Sequence, residues 1–230
     1  MSGQPTALVT GAVGALAAPL IAELEGAGWR LALLSKGPVE RLRERYPERS
    51  TASVDLTDEP AARKVIARLE QEVGGFDAVV NLAGGYAQHA AVDVRLEQLH
   101  QQLAINLSST VVATTAVLPG MLERGRGTIV GIAGAAAVDG AARSAAYAAA
   151  KAAVVAYLRS LDRELAAQDV RALVVYPMGT LDTPANRDAL PEADPSGWIA
   201  TTTLAAAIVH AMTLGPRARF LELKVWPDPS

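Results

Sequence analysis

Short runs of Val, Leu, Ile and Ala alternate along the chain with longer stretches in which apolar residues return at helical spacing. The apolar runs predict strands at Ala7–Thr10, Leu31–Ser35, Ala52–Val54, Ala78–Asn81, Thr128–Ile132, Ala172–Tyr176 and Phe220–Val225. Most read apolar on both faces, as strands covered by helices on both sides must. Between them lie amphipathic patterns. Leu16, Leu20, Ile21 and Leu24 form one stripe, and Asp58-Glu59-Pro60 has the acceptor and proline that open a helix. The pattern from Ala145 to Gln168 is apolar on more than one face, through Val154, Val155, Tyr157, Leu158 and Leu161, as expected when one face packs on a sheet and another on a subunit. After Pro177 the rhythm breaks. Pro184, Pro191, Pro195 and Gly197 deny residues 178–200 a long helix or strand, so they predict a loop or lid at a strand's carboxyl end. Strands alternating with helices predict an α/β fold: a doubly wound, seven-stranded parallel sheet with helices on both faces.

The chain has 230 residues, which at roughly 150 per domain fits a single α/β domain over 1–230. Half its residues are apolar and 20% charged, enough core material to exclude disorder. Lys plus Arg number 21 and Asp plus Glu 24, a net charge of −3, which gives no footprint for nucleic acid. Cysteine is absent, which excludes disulfides and thiolate chemistry and suits a reducing cytoplasm. Met1 to Pro5 lack a basic leader. The Ala-rich stretch from Gly131 to Leu158 is the nearest approach to a membrane span and is broken by Asp139, Arg143 and Lys151, so no membrane association is expected. His89, His100 and His210 are scattered and propose no metal site.

The first strand runs into Thr10-Gly11-Ala12-Val13-Gly14-Ala15-Leu16-Ala17, a G-x-x-G-x-x-A turn that opens a helix. Small residues there let the backbone approach a pyrophosphate, with the helix presenting free N–H groups and the positive end of its dipole. Strand, turn and amphipathic helix follow in the order a Rossmann-type dinucleotide site requires, which assigns Gly11, Val13, Gly14, Ala15 and Leu16 to the cofactor. The second strand ends in Ser35-Lys36, where NAD-preferring folds carry an acidic residue on the ribose. A hydroxyl followed by an ammonium suits a 2′-phosphate, so NADP(H) is expected over NAD(H); the alternative is a solvated surface lysine. Asp55 and Leu56 follow the third strand, and Asn81, Ala83 and Gly84 end the fourth, each at the edge where adenine and ribose would lie. Asp55 serves equally as a turn cap and Asn81 as a brace for the loop backbone. Pro177 and Thr180, at the base of the lid, complete the expected cofactor set.

Tyr147 and Lys151 stand at i and i+4 on one helix face. A phenol exchanges protons poorly at neutral pH unless a cation favours its phenolate, and Lys151 is that cation. Tyr147 as a core-edge residue with Lys151 in solvent is the other reading of the same spacing. What raises the first is the order of the glycine turn, Asn81-Leu82-Ala83-Gly84, Asn106 and the Tyr147/Lys151 pair.

On these residues the chain resembles the short-chain dehydrogenase/reductase family over nearly its whole length. The resemblance implies that Tyr147 is the catalytic acid/base and that Lys151 is its partner and a ligand of the nicotinamide ribose. It also implies that Asn106 holds a water linking the lysine to solvent, and it suggests a homodimer or homotetramer. The family's serine, thirteen residues before the tyrosine, is replaced by Gly134, and Ser144 lies too close to Tyr147 to take its place. One hydrogen-bond donor to a substrate carbonyl is thus missing, an effect worth about 3 kcal/mol elsewhere.

Within the family, Ile132 to Ala137, Ala83 to Tyr86, Thr180 to Arg187, Pro191 to Asp194 and Trp198 are similar to the dihydropteridine reductase group, which also lacks the serine. Ser35 and Asn106 depart from that group. The leading expectation is hydride transfer from NADPH to a planar conjugated small molecule held beside Gly134; Tyr86 is a candidate for stacking on it, against packing on the lid, and Asn186 and Arg187 are candidates to touch it, against roles in loop structure or salt bridges. Two other functions are compatible with the same residues: a carbonyl or alcohol oxidoreductase that manages without the serine, and a non-catalytic NADP(H)-binding sensor.

Overall fold

A computed structural model describes residues 3–214 and 218–228; Met1 and Ser2, part of the amino-terminal reading above, lie outside them. In chain order the elements are β1 (Thr6–Thr10), α1 (Ala17–Gly26), β2 (Arg30–Ser35), α2 (Val39–Arg45), β3 (Ser50–Ser53), α3 (Glu59–Val73), β4 (Ala78–Asn81), α4 (Leu96–Gln102), α5 (Ser109–Arg124), β5 (Gly127–Ile132), α6 (Ala136–Asp139), α7 (Ala145–Leu165), β6 (Val170–Pro177), β7 (Leu181–Asp182), α8 (Pro184–Ala189), β8 (Ile199–Ala200), α9 (Thr201–Thr213) and β9 (Glu222–Val225). Seven strands form one parallel sheet in the order β3-β2-β1-β4-β5-β6-β9. Each predicted strand is present. The last is shorter than expected, because Phe220 and Leu221 precede the paired residues.

The strands are apolar on both faces because both faces are covered. In β1, Leu8 packs with α3, α5 and α7, whereas Ala7 and Val9 face α1, α2 and α9. Ile129 and Val130 of β5 divide in the same way. This is the period-two geometry of a strand buried on both sides. Asp58 caps α3 by accepting from the Ala61 amide at 3.2 Å, and Pro60 sits in the first turn, as the sequence predicts.

Chain order reverses between β1 and β4, which are neighbours at the centre of the sheet with Thr10 and Asn81 in register. In doubly wound sheets such a switch point opens a crevice at the carboxyl edge. The turn after β1, the loop after β4, the Ala/Gly segment after β5 and residues 178–200 all leave the sheet at that edge. The last segment is more ordered than a simple loop: β7 pairs with β8, and α8 starts where Thr183 accepts from the Asn186 amide at 3.1 Å.

One expectation needs correcting. The nearest approach to a spanning helix is Leu96–Arg124, where α4, a π-helical turn over Leu103–Ser108 and α5 run on as 29 residues. The uncharged run from Gln101 to Leu122 is longer than any uncharged run within the Ala-rich stretch. In the fold, Val112, Ala113, Val117 and Met121 bury this run against the sheet, and its turn carries Asn106 to the carboxyl edge.

Candidate active site

A cleft of about 340 Å³ lies over the switch point. Gly11, Val13 and Gly14 line it after β1, Ser35 and Lys36 after β2, Asp55 and Leu56 after β3, and Ala83 and Gly84 after β4. Gly11 has φ +64°, and a Cβ there would stand 2.7 Å from the Ala83 nitrogen. Only glycine lets the two loops meet this closely. The contact is tied by the Ala83 amide donating to Thr10 Oγ1 at 3.2 Å. Ala12 donates to Leu34 O and Gly14 to Gly11 O, whereas the amides of Val13, Ala15 and Leu16 find no acceptor among the described residues. Ala15 and Leu16 therefore offer N–H groups and no lining side chain.

Lys36 and Asp55 form a 2.7 Å ion pair on the cleft rim. Lys36, then the amide and hydroxyl of Thr57, hold the Asp55 carboxyl down at about 2, so it remains ionised through the physiological range. Asp55 caps a turn, as one of its readings has it, and also lines the cleft. Asn81 takes the bracing role of its two readings. It is buried beneath the cleft, with Nδ2 donating to Thr114 Oγ1 and Val130 O, so it braces the sheet. Pro177 and Thr180 contribute backbone, their carbonyls accepting from Ala135 and Ile199. Val54, Thr57, Leu82, Ile105 and Ser109 also line the cleft and were not anticipated. The Asp55-Leu56-Thr57 turn signature was readable for Thr57. Ile105 and Ser109 arrive through the π-turn, which leaves no periodic mark in the sequence.

Tyr147 occupies the first turn of α7, with Lys151 one turn on. Lys151 is buried, and Nζ donates to Ile132 O at 2.9 Å. A Cβ built on Gly84 would lie 2.7 Å from Asn106 Oδ1 and 3.6 Å from Lys151 Nζ, so both groups converge on that loop. Asn106 is held on all sides: Oδ1 accepts from the Gly85 amide, and Nδ2 donates to Gly85 O and to Gln102 O. Gln102 is a further residue that the sequence reading missed.

Desolvation dominates the electrostatics of these groups. Burial lowers the Lys151 ammonium from its ordinary 10.5 to about 8. Burial, reinforced by Tyr86, pushes the Tyr147 phenol up rather than down. The expected lowering by Lys151 is absent because Nζ is bonded to Ile132 O and sits 5.8 Å from the Tyr147 ring centroid.

Gly134 faces the phenol. A Cβ there would lie 4.0 Å from Tyr147 Oη and 3.8 Å from Pro177 O, so the position opposite the tyrosine carries no side chain. Its φ of +154° is a backbone state that L-residues rarely adopt. Ser144, as expected, is at the start of α7 and not at the end of β5; it is buried, and Oγ pairs with Tyr86 Oη at 3.0 Å. Tyr86 packs on Tyr147 in a T-shape, ring centroids 4.9 Å apart, and is committed to that contact. Asn186 and Arg187 are also internally committed. The Asn186 amide donates to Leu181 O, and Arg187 makes a two-pronged pair with Asp182 within the 178–200 segment.

A parallel doubly wound sheet whose switch-point cleft ends in glycine turns defines a dinucleotide-binding class of α/β protein. The family model described as short chain dehydrogenase matches residues 5–194, and the chain belongs to that family. An uncharacterized oxidoreductase of Staphylococcus aureus (strain MRSA252) is 29% identical over 96% of both chains. An "inactive 2-(S)-hydroxypropyl-CoM dehydrogenase 2" of Xanthobacter autotrophicus is 37% identical over 142 residues, 61% of this chain and 62% of that protein. The crystal structure of a short-chain dehydrogenase from Streptomyces avermitilis superposes with a TM-score of 0.84 at 25% identity, covering 99% of this chain and 90% of that one. The family is one of oxidoreductases, and membership implies a nicotinamide cofactor.

Proposed function

We propose that the chain is an NADP(H)-preferring oxidoreductase that exchanges hydride with a planar, conjugated small molecule, and that quinonoid dihydropterins are the first substrates to try. One observation carries the reading: Lys151 and Asn106 converge on Gly84, which lines the cleft, Lys151 reaches to 5.8 Å from the Tyr147 ring centroid, and no side chain stands opposite the phenol at Gly134. The cleft fits a dinucleotide, since Gly11 clears the backbone for close approach and the Val13, Ala15 and Leu16 amides are unspent. When bound, a nicotinamide supplies or takes up the hydride.

This chain's residues do the rest. The Tyr147 phenol, kept protonated by burial, is the proton donor in the reducing direction. Lys151 Nζ lies 5.8 Å from its ring centroid, tied to Ile132 O, and a lysine that titrates near 8 exchanges protons readily at neutral pH. Asn106, anchored by Gln102, holds the Gly85 backbone against which these groups are set. Lacking a donor at position 134, the site favours a substrate whose acceptor is activated by conjugation over an isolated ketone. Residues 178–200 close over this edge as the substrate lid. An outer face of α7 is the surface on which copies of the chain associate as a dimer or tetramer.

The test follows nicotinamide absorbance with a quinonoid dihydropterin, an o-quinone and a ketone panel. Turnover of the first two, lowered about 10²- to 10⁴-fold by Tyr147→Phe with cofactor affinity retained, is the expected result. Gly134 and the name of the Xanthobacter relative favour a second reading, a cofactor-binding protein without turnover. Tight binding with no conversion of any acceptor would establish it in place of the first.

A further inference from the structure

We propose that Tyr86 and Ser144 are a positioning pair that fixes the Tyr147 phenol from the side, in a site with no hydroxyl at position 134 to fix it from the front. This inference rests on Tyr147 being the proton donor.

The bond directions support it. Tyr86 Oη accepts from Gln88 Nε2 at 2.6 Å, so its own proton is free for Ser144 Oγ at 3.0 Å, and the serine proton points on to Ala142 O at 3.4 Å. Ser144 is the N-cap of α7, the place where serine ordinarily accepts from an amide of the first turn, yet its side chain makes no such bond. Its hydroxyl is turned instead toward Tyr86, although Ser144 is only 1% exposed. Tyr86 is 58% exposed, too open for packing alone to hold it. Its ring stands at 90° to Tyr147, the geometry in which a positive ring edge meets a negative face.

A second tie joins the same two loops, the His89 amide donating to Arg143 O at 2.7 Å, with Arg143 in the left-handed region at φ +61°. A bulky residue held there costs energy and persists only where its surroundings enforce it. The loop after β4 and the turn before α7 are thus clamped together directly over the first turn that carries Tyr147.

The experiment is a double-mutant cycle with Tyr86→Phe and Ser144→Ala, plus Tyr86→Ala. Turnover of a quinonoid dihydropterin is read together with an ultraviolet difference titration of the tyrosines, Tyr147→Phe identifying the signal. Each single hydroxyl deletion should lower kcat about 3- to 10-fold, the range of one hydrogen bond converted to rate. Cofactor KM should not change, and the double variant should lose no more than either single. Tyr86→Ala should cost about 10²-fold, as misplaced groups do, and should lower the Tyr147 titration by admitting water. Additive losses, or an unmoved titration with unchanged kcat, would overturn the pair. If the parent protein converts no acceptor, the proposed function fails, and the titrations still decide whether Tyr86 controls the Tyr147 environment.

Discussion

The two ends of the cleft are built by different means. At the nucleotide end, over β1 to β3, the surface is mostly backbone and small residues: Gly11 against Ala83, free amides at Val13 to Leu16, and a solvent-screened Lys36–Asp55 pair. At the chemical end, over β4 to β6, it is side chains brought from three separated segments, with Lys151 and Asn106 buried, the first held by one hydrogen bond to Ile132 O and the second by several. Backbone cradles tolerate change in what surrounds them and fail when a Cβ intrudes. Buried side-chain assemblies fail when one partner or one proton is lost.

The largest expected effect tests the cradle. Gly11→Val forces a Cβ into Ala83 backbone at a positive φ, and it should cost about 2–4 kcal/mol of stability and abolish measurable cofactor binding, as melting and calorimetry would show. A variant that binds normally would mean the loops can part, and would erase the contrast.

Lys151→Met probes the buried end next. The folded ammonium titrates near 8 and the unfolded one near 10.5, so between these values the unfolded chain holds the extra proton and stability rises with pH. Below pH 8 the charged lysine opposes folding. Lys151→Met should therefore raise the stability of the cofactor-free protein by about 1–3 kcal/mol at pH 7, flatten its dependence on pH from 8 to 10.5, and cut turnover at least about 10²-fold. Chemical denaturation across pH checks this.

A smaller effect separates backbone strain from a missing donor. Gly134→Ala and Gly134→Ser should each lose about 1 kcal/mol, because φ +154° suits neither. Only the serine variant should gain ketone reduction, about tenfold. Equal ketone rates in the two would remove the donor argument.

The smallest concerns the rim. Lys36→Ala should weaken NADPH binding about 5- to 10-fold and leave NADH untouched, with under about 1 kcal/mol lost in stability, since exposed pairs contribute little. An unchanged NADPH/NADH ratio of kcat/KM would return Lys36 to an ordinary surface lysine.

How much was readable in advance follows the same division. The strands, the Asp58 cap and the glycine turn depend on neighbours in sequence, and period-two runs flanked by helical stripes displayed them. The Tyr147/Lys151 pairing was legible because one helical turn relates the residues. The direction of the Tyr147 shift was not, because desolvation depends on which segments cover the phenol. For Asn186 and Arg187 the sequence offered both a ligand role and a role in loop structure or salt bridges, and β7 and α8 supply the partners of the second, Leu181 and Asp182. Tyr86 looked available for stacking until the turn before α7 placed Tyr147 and Ser144 beside it.

By itself the order of residues determined a parallel α/β sheet and the loops at its carboxyl edge, because strand burial and helix periodicity are local properties of the chain. Only the tertiary structure decided which polar groups are spent on each other and which remain for chemistry. Hydrogen-bond partners and dielectric surroundings come from residues distant in sequence, and a buried ammonium, an uncapped serine and a bare glycine opposite a phenol acquire meaning only once those residues meet.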